Sequence, residues 1–236
     1  MQNTLTKERR KQLSQDLWII CIVSFAVLAI CMLLNDRMNR FAYDQSINIV
    51  LRVLVIGIGG QFGLAGLGIT IVCILRKESF KSFGLNTKNL IPALLFSLAC
   101  CIPDFIYCWS NGRVHAWCPF WDVNTTPELL SSGFPYSVLG MLITAVCWGF
   151  FEGFNYVVIR DKLSELLPSR YKLLDWGALI CAIMCILIHG AIGVTPDAVM
   201  EMLVTMFLIY GMLIVRKLTG NSWGCVLIFV VYWNAL

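Results

Sequence analysis

Charge is scarce in this sequence. Only 14% of its 236 residues are Asp, Glu, Lys or Arg, against 58% hydrophobic, where soluble domains average about 25% charged and 45–50% apolar. No long stretch has the mixed polar composition that a soluble core with a wetted surface needs. The chain therefore reads as one domain within a lipid bilayer. Other absences narrow the chemistry. No CxxC occurs among the eleven cysteines, which excludes zinc-ribbon and thioredoxin-like motifs. The two histidines, His115 and His189, are too few for a tetrahedral zinc site, and Glu152, His189 and Cys185 would make only a poor ligand set. The stretch GIGGQFGLAGLGIT, residues 57–70, lacks GKS or GKT and a preceding soluble strand, so it is no phosphate loop. Its Gly59-xxx-Gly63 spacing suits close helix approach in lipid. There is no strong internal repeat, and no cofactor is implied.

What the sequence does have is long apolar runs. A span needs roughly 20 such residues, because hydrocarbon about 30 Å thick is crossed at ~1.5 Å per residue. Seven stretches qualify or nearly so: about 17–34, 48–75, 90–108, 134–159, 173–192, 199–215 and 222–236. All should be helices, since lipid offers no partner to an open strand edge. The expectation is an all-α, polytopic transmembrane helical bundle of about seven spans, with room for an eighth. The last stretch is short and suits a tilted, interfacial or half-spanning helix.

Fourteen of the 18 Lys and Arg fall in the N-terminal segment and the 76–89, 160–172 and 216–221 connections. Arg37, Arg40 and Arg113 fall on the other side, and Arg52 within a span. The positive-inside rule then predicts a cytoplasmic N-terminus and an exterior C-terminus in a plasma membrane. The net charge of +4 follows from this topology, and no nucleic-acid site is read from it. The first span lacks a small-residue cleavage pattern and reads as a signal anchor. The 160–172 connection suits a short amphipathic helix ended by Pro168. Cys108 borders the 109–133 loop and Cys118 lies within it, where pairing or free thiols both remain open. Trp117, Phe120 and Trp121 in that loop suit interfacial anchors. Asn124-Thr125-Thr126 fits an N-glycosylation sequon.

Polar groups at membrane depth are expensive and are functional candidates. Three stand out: Glu152, His189 and Asn234. Asn155 and Tyr156 share a helical face with Glu152, at three and four residues' spacing. A structural alternative stands beside each: Glu152 as interhelical glue to His189 or Arg52, His189 bonded to a backbone carbonyl, Asn234 in the interface, Asn155 and Tyr156 in helix packing.

The order of these groups resembles the CPBP family, which covers CAAX prenyl endopeptidases and bacteriocin-processing or immunity proteins, also called Abi. The family's motifs are EExxxR, FxxxH and HxxxN. They correspond here to FEGFNYVVIRDKL, CILIHG and NSWGCVLIFVVYWN, over residues 134–236. Residues 1–16 would then be a cytoplasmic basic segment and 17–133 three N-terminal spans with an exterior loop. Glu152, His189 and Asn234 match one residue in each motif, while Gly153, Val157, Cys185 and Val230 stand where the family has Glu, Arg, Phe and His. The resemblance implies an intramembrane endopeptidase acting on a peptide or membrane-protein segment. Glu152 would activate a water, His189 orient it, Asn234 donate to the oxyanion, and Asn155, Tyr156 and Cys185 line the site. The missing Arg and His leave open a catalytically impaired relative, acting in bacteriocin self-immunity or as a scaffold.

Overall fold

The structure, a computed structural model, describes residues 5–114, 116–189 and 196–235, with backbone alone at 188–189 and 196–197. His115 lies outside the described residues. No strand occurs among them. Among the described residues five helices are long and apolar enough to cross a membrane: α1 (Lys7–Leu33), α3 (Ile49–Arg76), α4 (Leu90–Ser110), α6 (Tyr136–Leu166) and α8 (Pro196–Thr219). Four shorter ones lie among them: α2 (Asn35–Ala42), α5 (Thr126–Ser131), α7 (Trp176–His189) and α9 (Trp223–Val231).

The all-α membrane expectation is met, and the span count only in part. Helices α7 and α9 have 14 and nine residues, about 21 and 14 Å of rise, short of a ~30 Å hydrocarbon core. Helix α6 runs on past Arg160 to Leu166, so the helical turns expected in the 160–172 connection continue the fourth span instead of forming a separate surface helix. The reason is that Arg160 and Lys162 are buried, 7% and 2% exposed, and paired inside the protein. The helix still ends just before Pro168, as proline geometry requires.

The chain forms two compact units that interleave along it. The first comprises residues 1–18, 78–114 and 156–225, and the second residues 19–77, 115–155 and 226–236. In the first, α7 packs on α8, and α8 on α4. Lys162 donates to Asp16 at 2.9 Å and to Glu78 at 2.8 Å. Arg160 pairs with Asp161 at 2.7 Å and with Asp175, and Asp161 also accepts from Arg216 at 2.8 Å. Asp175 caps α7 by accepting from the Ala178 N–H at 2.9 Å, which is why that helix starts later than the apolar run. Burial pushes the Asp175 carboxyl up, but bonds from Ser164, Arg160 and Ala178 outweigh it and hold the group below the usual carboxylate range. The NSWG segment is a further cap: Asn221 Oδ1 accepts from the Trp223 N–H at 2.9 Å, and its amide donates to the carbonyls of Asn86 and Lys88 at 2.7 and 2.8 Å.

Gly177 lets α7 meet α6 at backbone distance. A Cβ there would lie 2.6 Å from the Arg160 carbonyl oxygen and 2.9 Å from the Ser164 nitrogen, atoms held in a helix and unable to yield. Gly177→Ala is expected to cost roughly 1–3 kcal/mol. Chemical denaturation in detergent would register this as a lower midpoint, and an unchanged midpoint would contradict the close contact.

In the second unit α3 packs on α6, and α5 packs on both. Ile49, Val53 and Leu129 form a buried core flanked by Val50, Met141 and Ile143. Arg52, expected within a span, is 1% exposed. It donates to the carbonyls of Ala42 and Ile47 at 2.6 and 3.0 Å, and to both carboxylate oxygens of Glu128. Two π-helical stretches, Gly57–Leu67 in α3 and Ala145–Phe151 in α6, pack on each other. Small residues make that possible: a Cβ on Gly57 would lie 3.1 Å from Cys147 Sγ, and one on Gly66 would lie 2.8 Å from Phe151; Gly63 in turn admits α1, since a Cβ there would lie 2.9 Å from Val27. The carbonyl of Leu64 accepts from Ser24 Oγ at 2.7 Å, a second tie to α1.

Candidate functional site

Glu152 opens the α-helical part of α6 directly after its π-helical stretch, and it is partly buried. Its Oε2 accepts a hydrogen bond from Gln61 Nε2 at 2.5 Å. Gln61 belongs to the facing π-helical stretch of α3, and π turns inside α-helices recur at functional sites. Aromatic rings follow the pair in sequence. Phe62 meets Phe151 edge-on with centroids 4.7 Å apart, and Phe150 stacks on Phe154 at 5.3 Å. Gln61 was not singled out from the sequence. The available signal was a lone amide in a run of glycine, alanine and large apolar residues.

The pairing of Glu152 with Arg52, considered from the sequence, does not occur. Arg52 is committed to Glu128 and two carbonyls. Asn155, about one turn beyond Glu152, has a buried Oδ1 with no hydrogen-bond partner. The Tyr156 carbonyl accepts from the Cys181 thiol at 3.8 Å, and Cys185 is buried on α7. His189 ends α7, and its side chain lies outside the described residues. The expected residues thus divide between the units: Glu152, Asn155 and Asn234 in the second, Tyr156, Cys185 and His189 in the first.

Asn234 lies in the turn after α9. Among the described residues no hydrogen bond joins it to Glu152. It lines a cavity of about 260 Å³ whose walls include Asn35, Asn39, Asp122, Thr125 and Trp148. Three bonds hold this turn to the loop before α5: Trp117 Nε1 to the Val231 carbonyl at 2.7 Å, Cys118 N–H to the Ala235 carbonyl at 3.0 Å, and Asp122 N–H to the Asn234 carbonyl at 3.2 Å. Trp117 and Trp121 are exposed, as interfacial anchors would be, but Phe120 is not. It is 2% exposed, has φ +61°, and lies against Gly149. All eleven cysteines are free thiols, Cys108 and Cys118 included. Among the described residues no three His, Cys, Asp or Glu side chains gather to hold a metal.

No protein-family model, curated protein or solved structure matches this chain. The likeness to the CPBP family rests on Glu152, His189, Asn234 and the order of their segments.

Proposed function

We propose that this chain is a CPBP-type, glutamate-dependent intramembrane endopeptidase. It hydrolyses a peptide or membrane-protein segment near the cytoplasmic side of a bacterial plasma membrane, with the amino-terminal end of α1 cytoplasmic by the distribution of Lys and Arg. The observation that carries this reading is the Gln61–Glu152 bond. One carboxylate oxygen is held by an amide, which fixes the side chain and leaves Oε1 outside that bond. A general base must be positioned within hydrogen-bond reach of its water, and an anchored carboxylate meets that need. Asn155, on the same helical face, offers a buried acceptor for a water proton or a substrate N–H. His189 would orient the water, as the resemblance implies.

A second reading, a non-catalytic relative that grips a segment without cutting it, is favoured by Asn234 and Val157. Asn234 lines a cavity whose lining excludes Glu152, and Val157 is fully buried where the family has Arg.

Glu152→Gln separates the two readings, because it keeps the shape and the Gln61 contact while removing the base. Comparison of cleaved membrane peptides between cells carrying wild type and the variant is expected to show processing reduced about 10²–10⁴-fold, at unchanged expression. Processing or protection that persists at wild-type level would leave the non-catalytic reading standing.

A further inference from the structure

We infer that the cavity lined by Asn234 is a binding site, separate from the Glu152–Gln61 pair, for a small primary amine with a neighbouring carbonyl. This is the chemistry of an amino-acid amide or of a peptide's amino terminus. Every residue lining the cavity belongs to the second unit, and about 260 Å³ gives room for a molecule of amino-acid size.

Two buried polar atoms on its lining residues have no partner, Thr125 Oγ1 and Asn234 Nδ2. Thr125 is 4% exposed. Buried polar groups in folded proteins nearly always have partners, so these two carry unused hydrogen-bonding capacity. An amide nitrogen only donates, so the ligand must bring an acceptor, and a carbonyl oxygen suits it.

The charge of the lining sets the other half of the ligand. Asp122 is its one carboxylate, and no Lys or Arg lines it. The guanidinium of Arg52 reaches the carbonyl of Ala42, a lining residue, but its charge is matched by Glu128. A phosphate or carboxylate would face Asp122 unopposed, whereas an ammonium complements it. Trp148 and Ile56 supply an apolar wall, suited to an aliphatic side chain or to the ammonium over an indole face.

The site is also held in shape before any ligand arrives. The Asp122 N–H donates to the Asn234 carbonyl, which ties the residue that supplies the charge to the one that supplies the free donor. Preorganisation of this kind lowers the ordering cost of binding.

Isothermal titration of the full chain in nanodiscs with leucinamide tests this, with two analogues as controls. N-acetyl-leucinamide lacks the ammonium, and isoamylamine lacks the carbonyl. Leucinamide is expected to bind one to one, and each analogue at least about tenfold more weakly. Asp122→Asn is expected to weaken leucinamide by about tenfold or more while leaving the thermal midpoint unchanged, because the Asp122 side chain is exposed. Asn234→Leu should weaken leucinamide but not isoamylamine. No binding heat from leucinamide up to about 10 mM, equal affinity for the acetylated compound, or an Asp122→Asn variant that binds like wild type would each overturn the assignment. Glu152→Gln should bind leucinamide as wild type does, so this site stands or falls independently of the proposed endopeptidase.

Discussion

Lys162→Met is expected to destabilise the first unit by about 3–5 kcal/mol, the usual cost of removing one partner from a buried ion pair. The ammonium lies between Asp16, which is 0% exposed, and Glu78. Without it Asp16 keeps a charge, or takes up a proton, in a place with no water to solvate it. Methionine matches the length of the lysine stem, so little of the loss would come from packing. The triple variant Asp16→Leu, Lys162→Met, Glu78→Gln removes the stranded charge along with its partners and should recover most of the stability. Denaturation in detergent followed by helical circular dichroism would measure all three proteins. A Lys162→Met protein as stable as wild type would mean that the ammonium is solvated and not paired inside the unit.

Arg52→Leu should cost a comparable amount in the second unit, about 3 kcal/mol or more. Its loss would leave the Ala42 and Ile47 carbonyls without a donor and Glu128 without its bidentate partner. Arg52→Lys is expected to recover only part of this, since a single ammonium cannot reproduce a fork with three sets of acceptors. Arg52 also links two walls of the polar cavity. Ala42 lines it directly, and Glu128 sits on the helix that begins just after Thr125. Arg52→Leu should therefore abolish leucinamide binding, whereas the Lys162 change lies in the other unit and should spare it in protein that remains folded. Retained leucinamide affinity in Arg52→Leu would show that the cavity walls do not depend on this arginine.

Helices were legible in the sequence wherever hydropathy alone decides them. The runs at about 17–34, 48–75, 90–108, 134–159 and 199–215 each fall, to within two residues, inside a helix long enough to span. Boundaries failed where a charge was paired internally. Arg160 and Lys162 look like a stop signal because the sequence does not show Asp16, Asp161 and Asp175 arriving to meet them. Asp175 then shortens the next helix from its beginning by capping it. Within the site, Glu152 stood out because a carboxylate in an apolar helix is costly. Its partner did not, because Gln61 lies 91 residues earlier, and only the folded pairing of α3 with α6 brings the two together. Asn234 was legible as a polar group near the last apolar run. Its surroundings were not, because Asn35 and Asp122 sit in segments read only as connections, and Thr125 was read only as part of a glycosylation sequon.

The two π-helical stretches bear on how this protein can change in length. Their i→i+5 hydrogen bonds place one residue more in each turn than an α-helix holds. A deletion of one residue inside Ala145–Phe151 or Gly57–Leu67 can thus be absorbed by relaxation to a tighter turn, leaving the flanking segments facing much as before. Elsewhere in α3 or α6 the same deletion would swing one side of the helix by about 100° relative to the other. Natural or engineered single-residue deletions in these two helices should accordingly be tolerated in the stretches that hold or adjoin Gln61 and Glu152, and rejected farther away.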